Sequence, residues 1–148
     1  MPCTSLARHV RHPWEKLYSL VLDVESYPRF VPFCQATHVL EHSNHNGDDT
    51  VIVRVDVGFM AVRERFTSRI LGRRARREIL ISHLEGPLRH FDARWLFRPA
   101  DDCATDVGLE IDYQFHNHLM SAMAGMVFMS ASGEFVAAFE RRAAQVLA

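Results

Sequence analysis

A chain of 148 residues with 48% hydrophobic and 24% charged side chains is long enough for one buried core and too apolar for a disordered or fibrous protein. Seventeen basic residues against eighteen acidic ones give a formal charge of -1, which disfavours the basic surface of a general nucleic-acid binder but permits a local cationic patch. Cys3, Cys34 and Cys103 are odd in number and lack a Cys-x-x-Cys, so neither a disulfide framework nor a zinc cage is expected.

The longest nearly apolar run, Leu119 to Met129, is well short of the roughly 20 residues that a membrane-spanning helix needs. Met1 to Val10 lacks the apolar centre of a secretory signal. The expectation is a cytoplasmic protein of one domain, residues 1–148.

After Pro13, which suits a first helical turn, Trp14, Leu17, Tyr18 and Val21 recur at helical spacing and predict an amphipathic helix to about Val24. Ser26 can cap a second, short helix before Pro32, whose ring holds its predecessor extended and so feeds a strand. From Cys34 to Phe115 the period changes to two. Val51, Val53, Val55, Val57 and Phe59 alternate with Thr50, Ile52, Arg54, Asp56 and Gly58; Met60, Val62, Phe66 and Ile70 share the next apolar face, with Glu64 among them. Phe91, Ala93, Trp95 and Phe97 repeat the pattern, as do Val107, Leu109, Ile111, Tyr113 and Phe115, whereas a strand from Arg76 to Leu84 is less regular. Turn signals at Asn46-Gly47, Gly72-Arg73, Gly86-Pro87 and Pro99 to Asp102 leave only short connections, which predict an antiparallel meander. Leu119, Met123, Val127, Phe135 and Phe139 then return to helical spacing.

This order predicts an α+β fold in which a curved antiparallel sheet of about seven strands wraps around a long C-terminal helix, with two short helices after the first strand. Beneath that helix the apolar side chains either pack solidly or leave a pocket, and periodicity alone leaves both open.

Tyr27, Pro28, Phe30, Pro32 and Phe33 are stiff and aromatic, and make either the wall of such a pocket or a packed corner between helix and sheet. Glu64 sits by strand parity among apolar residues; it is a polar anchor for a ligand head group, a structural ion pair, or a strand end in water. Val55, Val57, Phe59, Phe66, Phe97 and Ile111 supply apolar lining, and Trp95 and Tyr113 add a polar handle each, although core packing explains the same residues. Met123 and Val127, beside Met120, Met126 and Met129, form an adaptable binding surface, a core stripe or, if exposed, a membrane-facing patch. Arg73, Arg74, Arg76 and Arg77, with Arg69 nearby, crowd a predicted hairpin tip that is either simply solvated or a contact for phosphate or RNA. His38, His42 and His45, or His116 and His118, lack a zinc signature, so no metal is expected. There is no nucleophile elbow, phosphate loop or dinucleotide fingerprint; Glu64 and His83 are the acid/base candidates, and neither has an evident second partner.

The string Tyr27-Pro28-x-Phe30-Val31-Pro32-Phe33-Cys34 after an amphipathic helix, Gly86-Pro87-Leu88 before Trp95-x-Phe97, alternating Val107 to Phe115, and the closing Phe139-Glu140-x-Arg142-Ala143 resemble the coenzyme Q-binding proteins of the START-like, polyketide cyclase/dehydrase superfamily. Phe33 stands where that family often has Trp. The resemblance implies a helix-grip fold and a tunnel for a lipophilic ligand, ubiquinone or a related prenylated quinone, bound without catalysis or covalent cofactor and delivered in support of respiration. Exposure of the methionine-rich segment would add transient contact with the inner membrane surface. Because the family includes bacterial ribosome-association toxins, a ribosome is an alternative partner; a cyclase or dehydratase is a third reading, and DNA is not expected.

Overall fold

The computed structural model describes residues 3–31, 33–59, 62–86, 88–115 and 136–147. A first strand, β1 (Cys3–Val10), leads into α1 (Trp14–Leu22) and a 3-10 turn (Val24–Arg29). Strands β2 (Cys34–His45), β3 (Asp48–Phe59), β4 (Val62–Arg73), β5 (Glu78–Glu85), β6 (Leu88–Asp101) and β7 (Ala104–Phe115) follow, and a helix α2 occupies 136–146. The seven strands form one antiparallel, curved sheet in the order β1-β7-β6-β5-β4-β3-β2.

Pro13 is not inside α1 but caps it in an extended conformation, with φ -62° and ψ 147°. The predicted second helix is a 3-10 turn with Pro28 inside it, and Thr37 Oγ1 on β2 donates to the Val24 carbonyl at 2.9 Å, fastening that turn to the sheet. Asn46 and Gly47 both take positive φ, 52° and 87°, as the primed two-residue hairpin between β2 and β3 requires. The strand predicted from Arg76 begins instead at Glu78, because Arg74–Arg76 wind into a 3-10 turn and Arg77 is left-handed at φ 52°. Register shifts in β2 between Cys34 and Ala36 and between Val39 and Glu41 are bulges of the kind that bend a strand.

The period-2 faces are in register across the sheet. Val51 pairs with Ile70, Ile70 with Ile81, and Ala93 with Ile111, while Ile79, Trp95 and Leu109 form the adjacent row. These side chains, with Leu17, Tyr18 and Val21 of α1 and Val136, Phe139 and Ala143 of α2, make the core. The terminal helix is thus packed on the inner face, and Arg8 of β1 reaches Glu140 across it at 3.3 Å. Leu119, Met123 and Val127 lie outside the described residues.

Candidate ligand-binding site

Phe139 is the hub of an aromatic cluster that joins α2 to the sheet and to the 3-10 turn. Its ring centroid lies 5.0 Å from Phe30, 5.1 Å from Trp95 and 5.4 Å from Tyr27, all edge-on. Trp95 stacks on Phe97 at 6.2 Å and 4° between planes. The Tyr27 hydroxyl donates to the Val21 carbonyl, closing the corner between α1 and the turn. Burial pushes its phenol well above the ordinary range, with the nearby Cys34 and Asp23 adding to the effect. Arg142 lies over the Phe30 ring, 5.5 Å from its centre.

Four of the predicted site residues, Tyr27, Phe30, Trp95 and Phe97, are therefore brought together, with Pro28 in the same turn. Where α1, α2 and the sheet meet, the remaining space is a cavity of about 20 Å³ between residues such as Leu17, Trp95, Val107 and Phe139. That suffices for one water and not for a ring. At this end the sequence-predicted pocket is filled by its own side chains.

The other end of the inner face is different. Val57 pairs with Glu64, Val55 with Phe66, and Ser68 with His83, so three apolar side chains and three polar ones share one surface. Val55, Val57, Glu64, Phe66 and His83 are half-buried, whereas Ser68 is buried. Glu64 makes no hydrogen bond or ion pair among the described residues, and the His83 Nδ1 is buried without a hydrogen-bond partner, its ring 6.4 Å from Phe66. Cys34, at the end of the Val57 row, has its thiol pushed up to about 11 by burial and then by Asp56. Ile111 and Tyr113, both buried, continue the face through Ala93 and Phe91, and burial raises the Tyr113 phenol. Phe33 sits at φ 67° and its carbonyl accepts the Gly58 N–H at 2.9 Å. Pro32, Met123 and Val127 lie outside the described residues, as does the side chain of Phe59.

A second cavity, of about 300 Å³, opens between α1, the 3-10 turn and strands β2 and β3. Its apolar wall is Leu22, Val24, Val39 and Val51, and Asp49, His42 and Arg74 stand at its polar side. Tyr18 borders it with a buried hydroxyl that has no partner and lies above Gly72, where any Cβ would come within 2.5 Å of that oxygen. Desolvation, followed by the charge of Asp49, pushes this phenol up to about 12.

The arginines of the predicted hairpin tip are spread over a 3-10 turn rather than a plain hairpin. Arg73 bridges to the buried Glu78 at 3.5 Å, and Glu78 also holds Arg94 at 3.1 Å. Arg74 and Arg77 lie over the Trp14 ring at 5.4 and 5.3 Å.

Phe139, Ser68 and Arg142 carry weak sequence signals: Phe139 is one more member of a helical stripe, Ser68 a small polar residue within a strand, and Arg142 part of the closing Phe139-Glu140-x-Arg142-Ala143 string. Among the described residues no group of three or more His, Cys, Asp or Glu side chains is placed to hold a metal ion, and His116 and His118 lie outside them. No described helix is long and apolar enough to cross a membrane.

A family described as "Polyketide cyclase / dehydrase and lipid transport" matches residues 10–140. Ribosome association toxin RatA of Escherichia coli K12 is 31% identical over 99% of this chain and 89% of its own. The mitochondrial coenzyme Q-binding protein coq10 of Schizosaccharomyces pombe is 28% identical, covering 97% of this chain and 87% of its own. The solution structure of the 18 kDa protein CC1736 from Caulobacter crescentus superposes with a TM-score of 0.81 at 32% identity, over 99% of this chain and 98% of that one. With the gripped helix, the seven-stranded sheet and the match over most of its length, the chain belongs to the START-like polyketide cyclase / dehydrase and lipid transport family.

Proposed function

We propose that this protein binds and delivers a lipophilic ligand without transforming it, and that ubiquinone or a related prenylated quinone is the class that fits best. The observation that carries the proposal is the polarity of one end of the inner sheet face, where Glu64, Ser68 and His83 lie together beside Val55, Val57 and Phe66. A ring bearing carbonyl or hydroxyl groups would place them against these donors and acceptors and lay its hydrocarbon tail along Val55, Val57 and Phe66. Burial of that tail contributes about 25 cal/mol per Å², less the cost of ordering it. The name of the coq10 relative supports the quinone class. Loading from a lipid surface would require transient contact with the inner membrane, from a cytoplasmic position.

Organic extraction of the natively purified protein followed by mass spectrometry tests the proposal. A stoichiometric prenylated quinone is the expected result; recovery of no lipid, together with no binding of a short-chain ubiquinone in titration, overturns it.

A second reading is favoured by one specific observation, that a relative 31% identical over 99% of this chain is named for ribosome association. Under this reading the chain binds a ribosomal subunit, and co-sedimentation with purified subunits measures it directly.

A further inference from the structure

We infer that the 3-10 turn between β4 and β5, together with Trp14 at the start of α1, is a phosphate clamp for an RNA backbone. This inference rests on the ribosome reading and names the surface that would serve it. Arg74 and Arg77 come from the turn, Trp14 from a helix distant in sequence, and the fold places both guanidinium groups over the one indole, at 5.4 and 5.3 Å. Arg74 also lies 5.5 Å from the Tyr18 ring centre. The indole is itself fixed, edge-on to Tyr18 at 5.9 Å.

The backbone is shaped for this arrangement. Arg77 occupies φ 52° and ψ 45°, a left-handed conformation that usually falls to glycine or asparagine, and it is held there because its N–H donates to the Arg74 carbonyl while its carbonyl accepts the Phe97 N–H at 2.9 Å. Charge accounting separates the free cations from the spent one. Arg73 faces Asp48 in register and bridges Glu78, whereas no carboxylate lies within ion-pair distance of Arg74, Arg76 or Arg77 among the described residues. All three are exposed. A guanidinium held against an aromatic ring keeps its in-plane N–H groups for a partner, and those groups match phosphate oxygens in pairs. Because two of the side chains are already ordered, less conformational freedom is lost when a phosphate arrives. The Trp14 ring is half-buried and occupied, so it is poorly placed to insert into a bilayer, which favours a nucleic-acid phosphate over a lipid one.

The test compares wild type, Arg74→Ala/Arg77→Ala and, as a charge-matched control, Arg63→Ala/Arg65→Ala, in titrations with poly(U) across a salt series and in co-sedimentation with purified ribosomal subunits. We expect the clamp variant alone to lose about tenfold in poly(U) affinity near physiological salt, with its log–log salt slope reduced by about 1.4 for two lost single-strand contacts. Circular dichroism checks its folding. If it unfolds, Arg76→Ala, at an exposed position of the same turn, supplies the same reading with a smaller loss of about threefold. Equal losses in clamp and control variants, or no loss in either, overturn the clamp. Wild-type binding to ribosomes that persists in the clamp variant also overturns it while leaving the ribosome reading standing. RNA binding through the clamp without ribosome co-sedimentation sustains the clamp and removes that reading. Salt-sensitive binding to phosphatidylglycerol vesicles with none to poly(U) overturns the assignment to RNA.

Discussion

Phe139 of the terminal helix meets Trp95 of β6 edge-on at 5.1 Å, and the same ring is within 5.4 Å of Tyr27 and 5.0 Å of Phe30. One side chain therefore couples three segments that are far apart in sequence, and the grip of helix on sheet depends on it. Phe139→Ala is expected to destabilise the protein by about 3–5 kcal/mol, the range for truncating a buried phenylalanine. Phe139→Leu, which keeps most of the volume, should cost well under half as much. Urea denaturation of both variants checks the ratio.

The strand periods on either side of this contact were legible in the sequence because an antiparallel sheet with one buried face imposes alternation residue by residue. Strand parity puts Glu64 on the face of Phe66 and Ile70, and its register opposite Val57 agrees with that face. The hub was not legible: that Phe139 rather than another stripe residue meets Trp95 and Tyr27 depends on how far the sheet bends. The turn at Arg74–Arg76 escaped for another reason. Arg77 carries none of the glycine or asparagine signal that normally announces a left-handed residue, so only tertiary contacts to Trp14 and Phe97 reveal it. That the space at the junction of α1 and α2 is closed could not be read from composition, since the same side chains line pockets and fill cores.

Glu64 offers a direct test of the head-group end. Glu64→Leu removes a half-buried carboxylate that has no partner among the described residues, so the fold should lose little, within about 0.5 kcal/mol. A bound quinone would lose one hydrogen bond, and its affinity should fall about three- to tenfold. Calorimetric titration with a short-chain ubiquinone reads the binding, and a thermal melt reads the fold. An affinity unchanged in this variant separates Glu64 from the ligand.

Stability should depend on alkaline pH with a defined sign. Burial raises the Cys34 thiol from its ordinary value to about 11 and the Tyr18 phenol to about 12, so the folded state retains protons that the unfolded chain releases. The unfolded state then binds fewer protons, and unfolding free energy falls as pH rises. The contribution of each group is complete below its unfolded pKa, 9.0 for Cys34 and 10.0 for Tyr18, and is lost as pH climbs through the folded value. Urea midpoints measured from pH 8 upward should be flat at first and then decline, and Cys34→Ala should delay the onset of the decline. A midpoint that rises in this window contradicts the assignment.

Gly72 and Tyr18 form a tight steric pair between β4 and α1. A Cβ at position 72 would lie 2.5 Å from the Tyr18 hydroxyl oxygen and 3.1 Å from a Leu22 methyl, so Gly72→Ala must displace a side chain that is 1% exposed. Overpacking of this kind costs about 1–3 kcal/mol. Tyr18→Phe removes a buried hydroxyl with no partner, which is close to neutral for the fold because no hydrogen bond is broken. Combining the two substitutions deletes the very atom that the new methyl group strikes, so the double variant should recover about half or more of the stability lost in Gly72→Ala, a coupling of about 1 kcal/mol between contacting positions. A full double-mutant cycle by denaturant unfolding gives that number. Strict additivity would mean that Leu22 or the backbone, and not the hydroxyl, absorbs the clash, and would place the Tyr18 ring further from β4 than the packing against Phe97 at 6.1 Å requires.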